Sequence, residues 1–402
     1  MTASAGKSKM SPAGNQAARQ QIRESIDKLA GWLEKNDYRG YDTFDGLSAR
    51  FVRPLTFETK FLRTVLQQGV RRFPLNLRPV LGVRKSHSSK AMGFLARGFL
   101  RMHQATGDAR WKSKTDMALQ WLIANQSKGY SGACWGNHFD YQSRSSYVPK
   151  GLPSVVWTSL IGHAFLDAHE QLQWPGALQV AVSSCEHILH DLNKFNDGEG
   201  VCIGYFPGQN LWIHNANTLG ASLLARTSSF TCNPTYRRLA QQAIQYTAQY
   251  QRANASWFYG EAPNLRWVDN FHSGYVLDCF KHYVQGTGDG QFEKHMVNGY
   301  KYWRDTFFLQ DGTPRYYDAK TIPIDIQCSS QAIDTLVFFN DRDPANLSLA
   351  LKVACWTIDH MQDPSGYFYY RRYSPWLVNK TPTLHWGQAT MLCALAGLYR
   401  LL

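Results

Sequence analysis

His or Asp stands repeatedly a few residues ahead of a run rich in Gly, Ala and Ser. The sets are Lys85, Ser86 and His87; His138 and Asp140; His214, Asn215 and Asn217; Asp269, His272 and Ser273; Asp325 and Gln327; and His385, Trp386 and Gln388. Aromatic loops between them carry Trp135, Tyr205, Trp257, Tyr259, Tyr316, Tyr317, Phe368, Tyr370 and Tyr373, with Arg266, Arg315, Arg371 and Arg372 nearby. Flat rings beside forked donors suit sugars: a pyranose face stacks on a ring, and its hydroxyls or carboxylate take hydrogen bonds. The same mixture suits the bases of single-stranded nucleic acid. The densest basic run lies elsewhere in the chain, so nucleic acid is not an expected partner.

Several chemistries can be built from these side chains. Glycoside hydrolysis needs two carboxylates across a sugar, and Glu261, Asp269, Asp318 and Asp325 are the available acids. Epimerisation or elimination beside a carbonyl needs a base, an acid on the other face and a cation for the developing charge. His214, His272, His385, Tyr259 and Tyr317 can serve as base and acid, and Arg315 or Arg371 can hold the anion. The expected catalytic set is therefore His272, His385, Tyr317, Glu261 and Asp325. The expected substrate-binding set is Trp257, Tyr259, Arg315, Arg371, His214, Asn217, Trp386 and His138. No H-E-x-x-H and no zinc-type Cys/His spacing occurs, and phosphate-loop and dinucleotide fingerprints are absent. Neither a metal nor a cofactor is expected.

These residues need elements to bring them together, and the sequence repeats one such element. Helical runs end in Gln or Asn, pass through a Gly-containing aromatic loop, and enter a second helix of small residues. The junctions read "WLIANQSKGYSGACWG", "DLNKFNDGEGVCIGYFPG", "QYQRANASWFYGEAP", "FLQDGTPRYYD" and "HMQDPSGYFYYRRY". In the first helix of a unit, apolar residues fall on one stripe, as with Phe292, Met296, Gly299, Tyr300, Trp303 and Phe307. The second helix is apolar all round, which marks it as enclosed by others. With "SSKAMGFLARGFLRMH" as an earlier inner helix, six units are expected to close into an all-α (α/α)6 toroid. An open α-solenoid scaffold is the alternative. In the toroid the loops entering the inner helices gather at one mouth.

The chain of 402 residues is read as a tail over residues 1–20 and one toroid domain over 21–402, with an irregular basic segment at about 39–90. Lys and Arg number 43 against 30 Asp and Glu, a net charge of +13, which attracts acidic glycans, nucleic acid or anionic membrane. Eight cysteines form no C-x-x-C pair and read as small buried hydrophobes in a reducing compartment. No signal-peptide core or spanning run is visible, so a cytoplasmic location is expected, with peripheral attachment at the inner membrane left open.

The repeat resembles that of α-toroid proteins at large, including glucuronyl C5-epimerases, uronate lyases, N-acylglucosamine 2-epimerases, terpenoid cyclases and several glycoside hydrolases. The cyclase aspartate cluster is missing, since "DTFD" at Asp42–Asp45 is no D-x-D-D. More closely, "GYDTFDGL", "FPLNLRPVLGV" and "YYDAKTIPIDIQCSSQAIDTL" resemble the VpsJ-like proteins of bacterial exopolysaccharide and capsule clusters. That resemblance implies surface-polysaccharide synthesis, an acidic, uronic-acid-bearing oligosaccharide or polysaccharide as partner, and a glycan-assembly complex at the inner membrane surface. It transfers no catalytic residue. An epimerase or lyase acting on an acidic sugar is the expected function. A glycoside hydrolase, a non-catalytic glycan-binding subunit and an isoprenoid-binding toroid stand as alternatives.

Overall fold

The computed structural model describes residues 12–144 and 146–402. Thirteen α-helices run through them. The first five are α1 (Pro12–Lys35), α2 (Lys60–Arg72), α3 (Ser89–Thr106), α4 (Ala109–Ala124) and α5 (Val155–Leu172). Next come α6 (Ala177–His190), α7 (His214–Thr231), α8 (Pro234–Gln249) and α9 (Asn270–Thr287). The last are α10 (Glu293–Thr306), α11 (Ile326–Phe338), α12 (Ala345–Met361) and α13 (Ala389–Leu401). Inner helices α3, α5, α7, α9, α11 and α13 each pack on the next, and α13 packs back on α3, so the ring is closed. Small residues permit this: a Cβ on Gly98 of α3 would come within 3.1 Å of the Cys393 backbone of α13.

Helices α4, α6, α8, α10 and α12 form the outer layer, and α1 completes it. Gln21 of α1 bonds Asp359 of α12, while Asp27 of α1 meets Arg110 of α4. The tail expected over residues 1–20 is thus corrected in part. Residues 12–20 belong to α1, whose buried stripe of Ala18, Ile22, Ile26, Leu29 and Leu33 holds it on the ring. Residues 1–11 lie outside the described residues. The first outer helix is α1 and not the irregular stretch that follows it.

The repeated Gln and Gly are structural staples. Gln251 donates its amide to Ala255 O in its own loop and to His295 O of α10, at 3.1 and 2.9 Å. Gln362 does the same to Gly366 O and to Ser25 O of α1, at 2.9 and 3.1 Å. The loop glycines press on the next outer helix: a Cβ on Gly132, Gly200, Gly312 or Gly366 would fall under 3 Å from backbone of Ser183, Tyr246, Lys352 or Lys28. In "HMQDPSGYFYYRRY", Phe368 and Tyr370 are buried, and Gln388 holds Phe368 through both backbone groups. That loop therefore spends most of its rings on packing.

The segment between α1 and α3 caps the end of the ring where the inner helices begin. Gly40 pairs with Ser86 just before α3, and Tyr41 pairs with Thr383 just before α13. Arg53 reaches Asp140 at 2.6 Å and Arg63 reaches Gln142 at 3.1 Å, both in the loop before α5.

Candidate functional site

Part of the polar recurrence at the inner-helix starts is capping. An N-cap side chain satisfies a backbone N–H that the helix itself leaves unpaired. Ser88, Ser154, Asp269 and Asp325 do this for α3, α5, α9 and α11. Two of these positions also support an imidazole or a guanidinium, and there the site begins.

His272 stands in the first turn of α9. Its Nδ1 lies 2.7 Å from Asp269 Oδ2, which also accepts from Trp267 Nε1 at 2.9 Å. His385 occupies a π-helical turn, Leu384–Gln388, that opens into α13. Its Nδ1 meets Asp42 Oδ2, a residue 343 positions away in the capping segment. Among the described residues no group hydrogen-bonds Nε2 of either ring. Phe271 and Trp386 connect the two, their rings 5.3 Å apart, with Phe271 3.9 Å from His272 and Trp386 6.0 Å from His385. A carboxylate on Nδ1 fixes the tautomer and leaves Nε2 to exchange a proton. Burial lowers His385 below the ordinary imidazole value against the attraction of Asp42.

Rings and cations surround this pair. Tyr259 stacks on Trp267 at 4.5 Å and lies 4.4 Å from His272. Phe44 stands between Tyr141 and Trp386, at 5.9 and 5.8 Å. Tyr317 is half-buried, and desolvation raises its hydroxyl above the usual tyrosine value. Arg71 of α2 donates to Tyr370 Oη at 3.0 Å and lies over the Phe44 ring at 4.4 Å. Arg144 lies over the Trp267 ring at 4.6 Å. Neither guanidinium has a carboxylate partner among the described residues. The Lys90 ammonium sits about 6 Å from the rings of Phe94, Tyr275 and Trp386, and burial lowers it to about 8 against the pull of Asp42.

Other expected site residues are placed differently. Asn217 is fully buried, bonded to Ala243 O, Thr247 Oγ1 and Ile203 N, so it ties α7 to α8. Trp257 is buried with Nε1 on Thr247 O and its ring against Phe280 and Gly299, which corrects its reading as a stacking platform. His214 is buried against Tyr246 and Tyr250 and holds Glu261 at 3.0 Å, which occupies that carboxylate. Arg371 donates to Asp325 at 2.7 Å, and Asp325 also accepts from Trp386 Nε1 at 2.8 Å. Guanidinium and carboxylate neutralise each other there, so neither is the free anion clamp or catalytic acid the sequence suggested. Arg315 is half-buried, its Nε unpartnered among the described residues, and its carbonyl accepts from Asn270. His138 is half-buried beside Phe139, and burial pushes its ring down to about 4.

Sequence reasoning missed Asp42, Arg71, Arg144, Trp267 and Lys90. Only the first carried a signal, inside the "GYDTFDGL" stretch. It also missed a cavity of about 340 Å³ at the opposite end of the ring. Phe94, Leu160 and Tyr275 floor it, and it reaches the surface beside Gln104, Gln171 and Gln285. Of its four arginines, Arg97 and Arg226 share Asp167, Arg101 pairs with Asp334, and Arg400 donates only to the Gln104 side chain. Both ring nitrogens of His163 are engaged, by Ser222 and Arg226. His282 of this cavity stacks on His163 at 4.8 Å without a hydrogen bond among the described residues, and on the outer helix α6 His187 likewise holds a carboxylate, Asp191, through Nδ1 with Nε2 unpartnered. Among the described residues, no group of three or more His, Cys, Asp or Glu is arranged to hold a metal ion.

Solved structures similar to this chain include a cellobiose 2-epimerase from Bacillus thermoamylovorans, 11% identical at a TM-score of 0.61, over 78% of this chain and 89% of that one. A family 76 α-mannanase from Bacteroides thetaiotaomicron is 12% identical at 0.59, over 79% and 87%. A polysaccharide lyase is 9% identical at 0.59, over 96% and 98%. No family model and no curated protein matches the chain. At such identities the likeness establishes the α/α-toroid fold, which by itself does not fix a reaction.

Proposed function

We propose that the mouth is a carbohydrate active site that removes and returns a proton at a carbon beside the carbonyl or carboxyl of an acidic sugar, in cytoplasmic surface-polysaccharide synthesis. One observation supports this reading: two imidazoles, His272 and His385, are each fixed through Nδ1 by a carboxylate, have no hydrogen bond on Nε2 among the described residues, and are linked through the rings of Phe271 and Trp386. Epimerisation needs that symmetry. One Nε2 takes the proton from one face, the carbon becomes planar, and the other imidazolium returns a proton to the opposite face. Asp269 and Asp42 stabilise whichever imidazole carries the charge. Arg71 and Arg144 supply positive charge for a sugar carboxylate and for the enolate-like intermediate. Tyr259, Trp267 and Trp386 offer faces to the sugar ring.

Hydrolysis is served less well, because Asp269, Asp325 and Glu261 are already bonded to His272, Arg371 and His214, which leaves Asp318, bonded by the Tyr302 hydroxyl, without a second free acid from the expected four. A lyase is the second reading, favoured by Tyr317, whose hydroxyl has no hydrogen-bond partner among the described residues and could protonate a leaving oxygen. That epimerases and a polysaccharide lyase occur among the similar structures supports both. Incubation with a panel of acidic oligosaccharides, followed by mass spectrometry and NMR of the products, separates the readings. A stereoisomer of unchanged mass supports epimerisation, and an unsaturated uronate supports elimination. New reducing ends without unsaturation mean hydrolysis. Binding with no product, unaffected by His272→Ala, means a glycan-binding subunit and ends the enzymatic reading.

A further inference from the structure

The capping segment leaves a run of large apolar side chains in water. Phe51, Leu55, Phe57, Phe61, Leu75 and Val80 are all at least 64% exposed, with Phe57 at 77% and Phe61 at 73%. Isolated exposed apolar residues are ordinary, but a contiguous set marks an interaction surface. The set is built into the fold. On α2, Phe61, Val65 and Arg72 lie on the outward stripe, while Gln67 and Val70 face the protein. Phe51 packs beside Gly82, which joins the two ends of the segment. Asn379 donates to Phe73 O at 2.8 Å and so anchors the neighbouring loop, whose tip is Trp376, 90% exposed, followed by Leu377.

Charge identifies the occupant. Arg50, Lys60, Arg72 and Arg84 stand exposed among these residues, without a carboxylate partner among the described residues. Glu58, the acidic residue of this stretch, is already held by Arg53 and Arg63. A protein partner for such a face would need matching acidic and apolar groups in register. A bilayer with anionic headgroups provides both continuously: acyl chains for the phenylalanines, phosphate for the arginines and an interfacial layer for Trp376. No helix among the described residues is long and apolar enough to cross a membrane, so the contact would be peripheral.

We propose that this face docks the protein on an anionic lipid surface, with Phe57, Phe61 and Trp376 inserted and Arg50, Lys60, Arg72 and Arg84 on the headgroups. The face lies at the mouth end of the ring. If the reading of the cleft above holds, which this clause alone rests on, a glycan carried on a lipid would be presented directly to it.

The test is co-sedimentation of the full chain with vesicles of phosphatidylcholine, with and without phosphatidylglycerol, in the absence of any sugar. The expected result is binding that rises with phosphatidylglycerol, falls with salt, and drops about tenfold or more in a Phe57→Ser, Phe61→Ser, Trp376→Ser variant. These side chains are exposed, so an unchanged melting temperature certifies the fold; Arg72→Glu with Lys60→Glu is a second variant expected to lose the same binding. Wild-type protein that stays in the supernatant with both vesicles overturns the proposal, as does equal binding by the variants. Self-association in solution that the serine variant abolishes, without vesicle binding, assigns the face to a second copy instead. No outcome depends on catalysis, so the docking surface and the enzymatic reading fail separately.

Discussion

Nδ1 of His272 stands 2.7 Å from the Asp269 carboxylate, whose other oxygen caps α9 by accepting from the His272 backbone N–H at 2.9 Å. One side chain thus fixes both the helix start and the ring orientation. Asn can keep the cap but cannot stabilise an imidazolium. Asp269→Asn is expected to leave the melting temperature within a few degrees and to lower kcat by about 10²–10⁴-fold. Asp325→Asn is the contrasting case: it strands the buried Arg371 guanidinium and is expected to cost about 3–5 kcal/mol of stability.

Arg71 presents a guanidinium at the cleft with a tyrosine hydroxyl and a ring face as its neighbours. Arg71→Ala is expected to raise KM for an acidic glycan about tenfold, with little change for its carboxyl-reduced form. The salt dependence of binding should weaken in the variant, as measured by titration calorimetry at two ionic strengths.

Gly366 adopts φ +110°, and a Cβ there would lie 2.3 Å from Lys28 O of α1. Gly366→Ala is expected to cost about 3 kcal/mol or more in denaturant unfolding, since it pushes the last loop off the first helix. Gly107 also has positive φ but open space around it, so Gly107→Ala should cost only about 1–2 kcal/mol. Equal costs at the two sites would mean that ring closure through Lys28 contributes little.

Burial holds His138 down at about 4 and His163 and His282 well below their ordinary 6.5. Unfolded, each regains an ordinary imidazole and takes up a proton that the folded ring refuses. The unfolded state therefore binds more protons between about 6.5 and 4, and stability falls as pH drops through that window. Asp45 and Asp278, raised by burial, oppose this because their folded forms hold protons longer. The imidazoles, joined by His187 and His385, outnumber them. Melting temperature is expected to decline from pH 6.5 to 4, and less steeply in His138→Gln.

The ring was legible because its units obey local rules: a Gln that staples, a Gly pressed on backbone, an amphipathic helix and then a small-residue one. α1 was partly hidden because its first residues are small and polar, and only the stripe from Ala18 to Leu33 commits it to the ring. Within the site, position along a helix was readable but direction was not. Asn217 and Trp257 occupy expected positions yet turn toward the outer layer, where Thr247 receives both. The partner of His385 could not be read because Asp42 is 343 residues distant, and such pairing is decided by ring closure. Recurrent Asp at helix starts looked catalytic, whereas capping together with the Arg371 pair accounts for Asp325, and capping accounts for Asp269 in part.

Proton exchange at the sugar carbon is the central claim, and deuterium reports it without knowledge of the direction of reaction. An acidic oligosaccharide that the protein binds, incubated in deuterium oxide and followed by mass spectrometry, should gain one deuterium per reacting residue. Formation of the deuterated epimer should vanish in His272→Ala and in His385→Ala while binding persists. Turnover of that glycan with no deuterium in substrate or product would contradict the account.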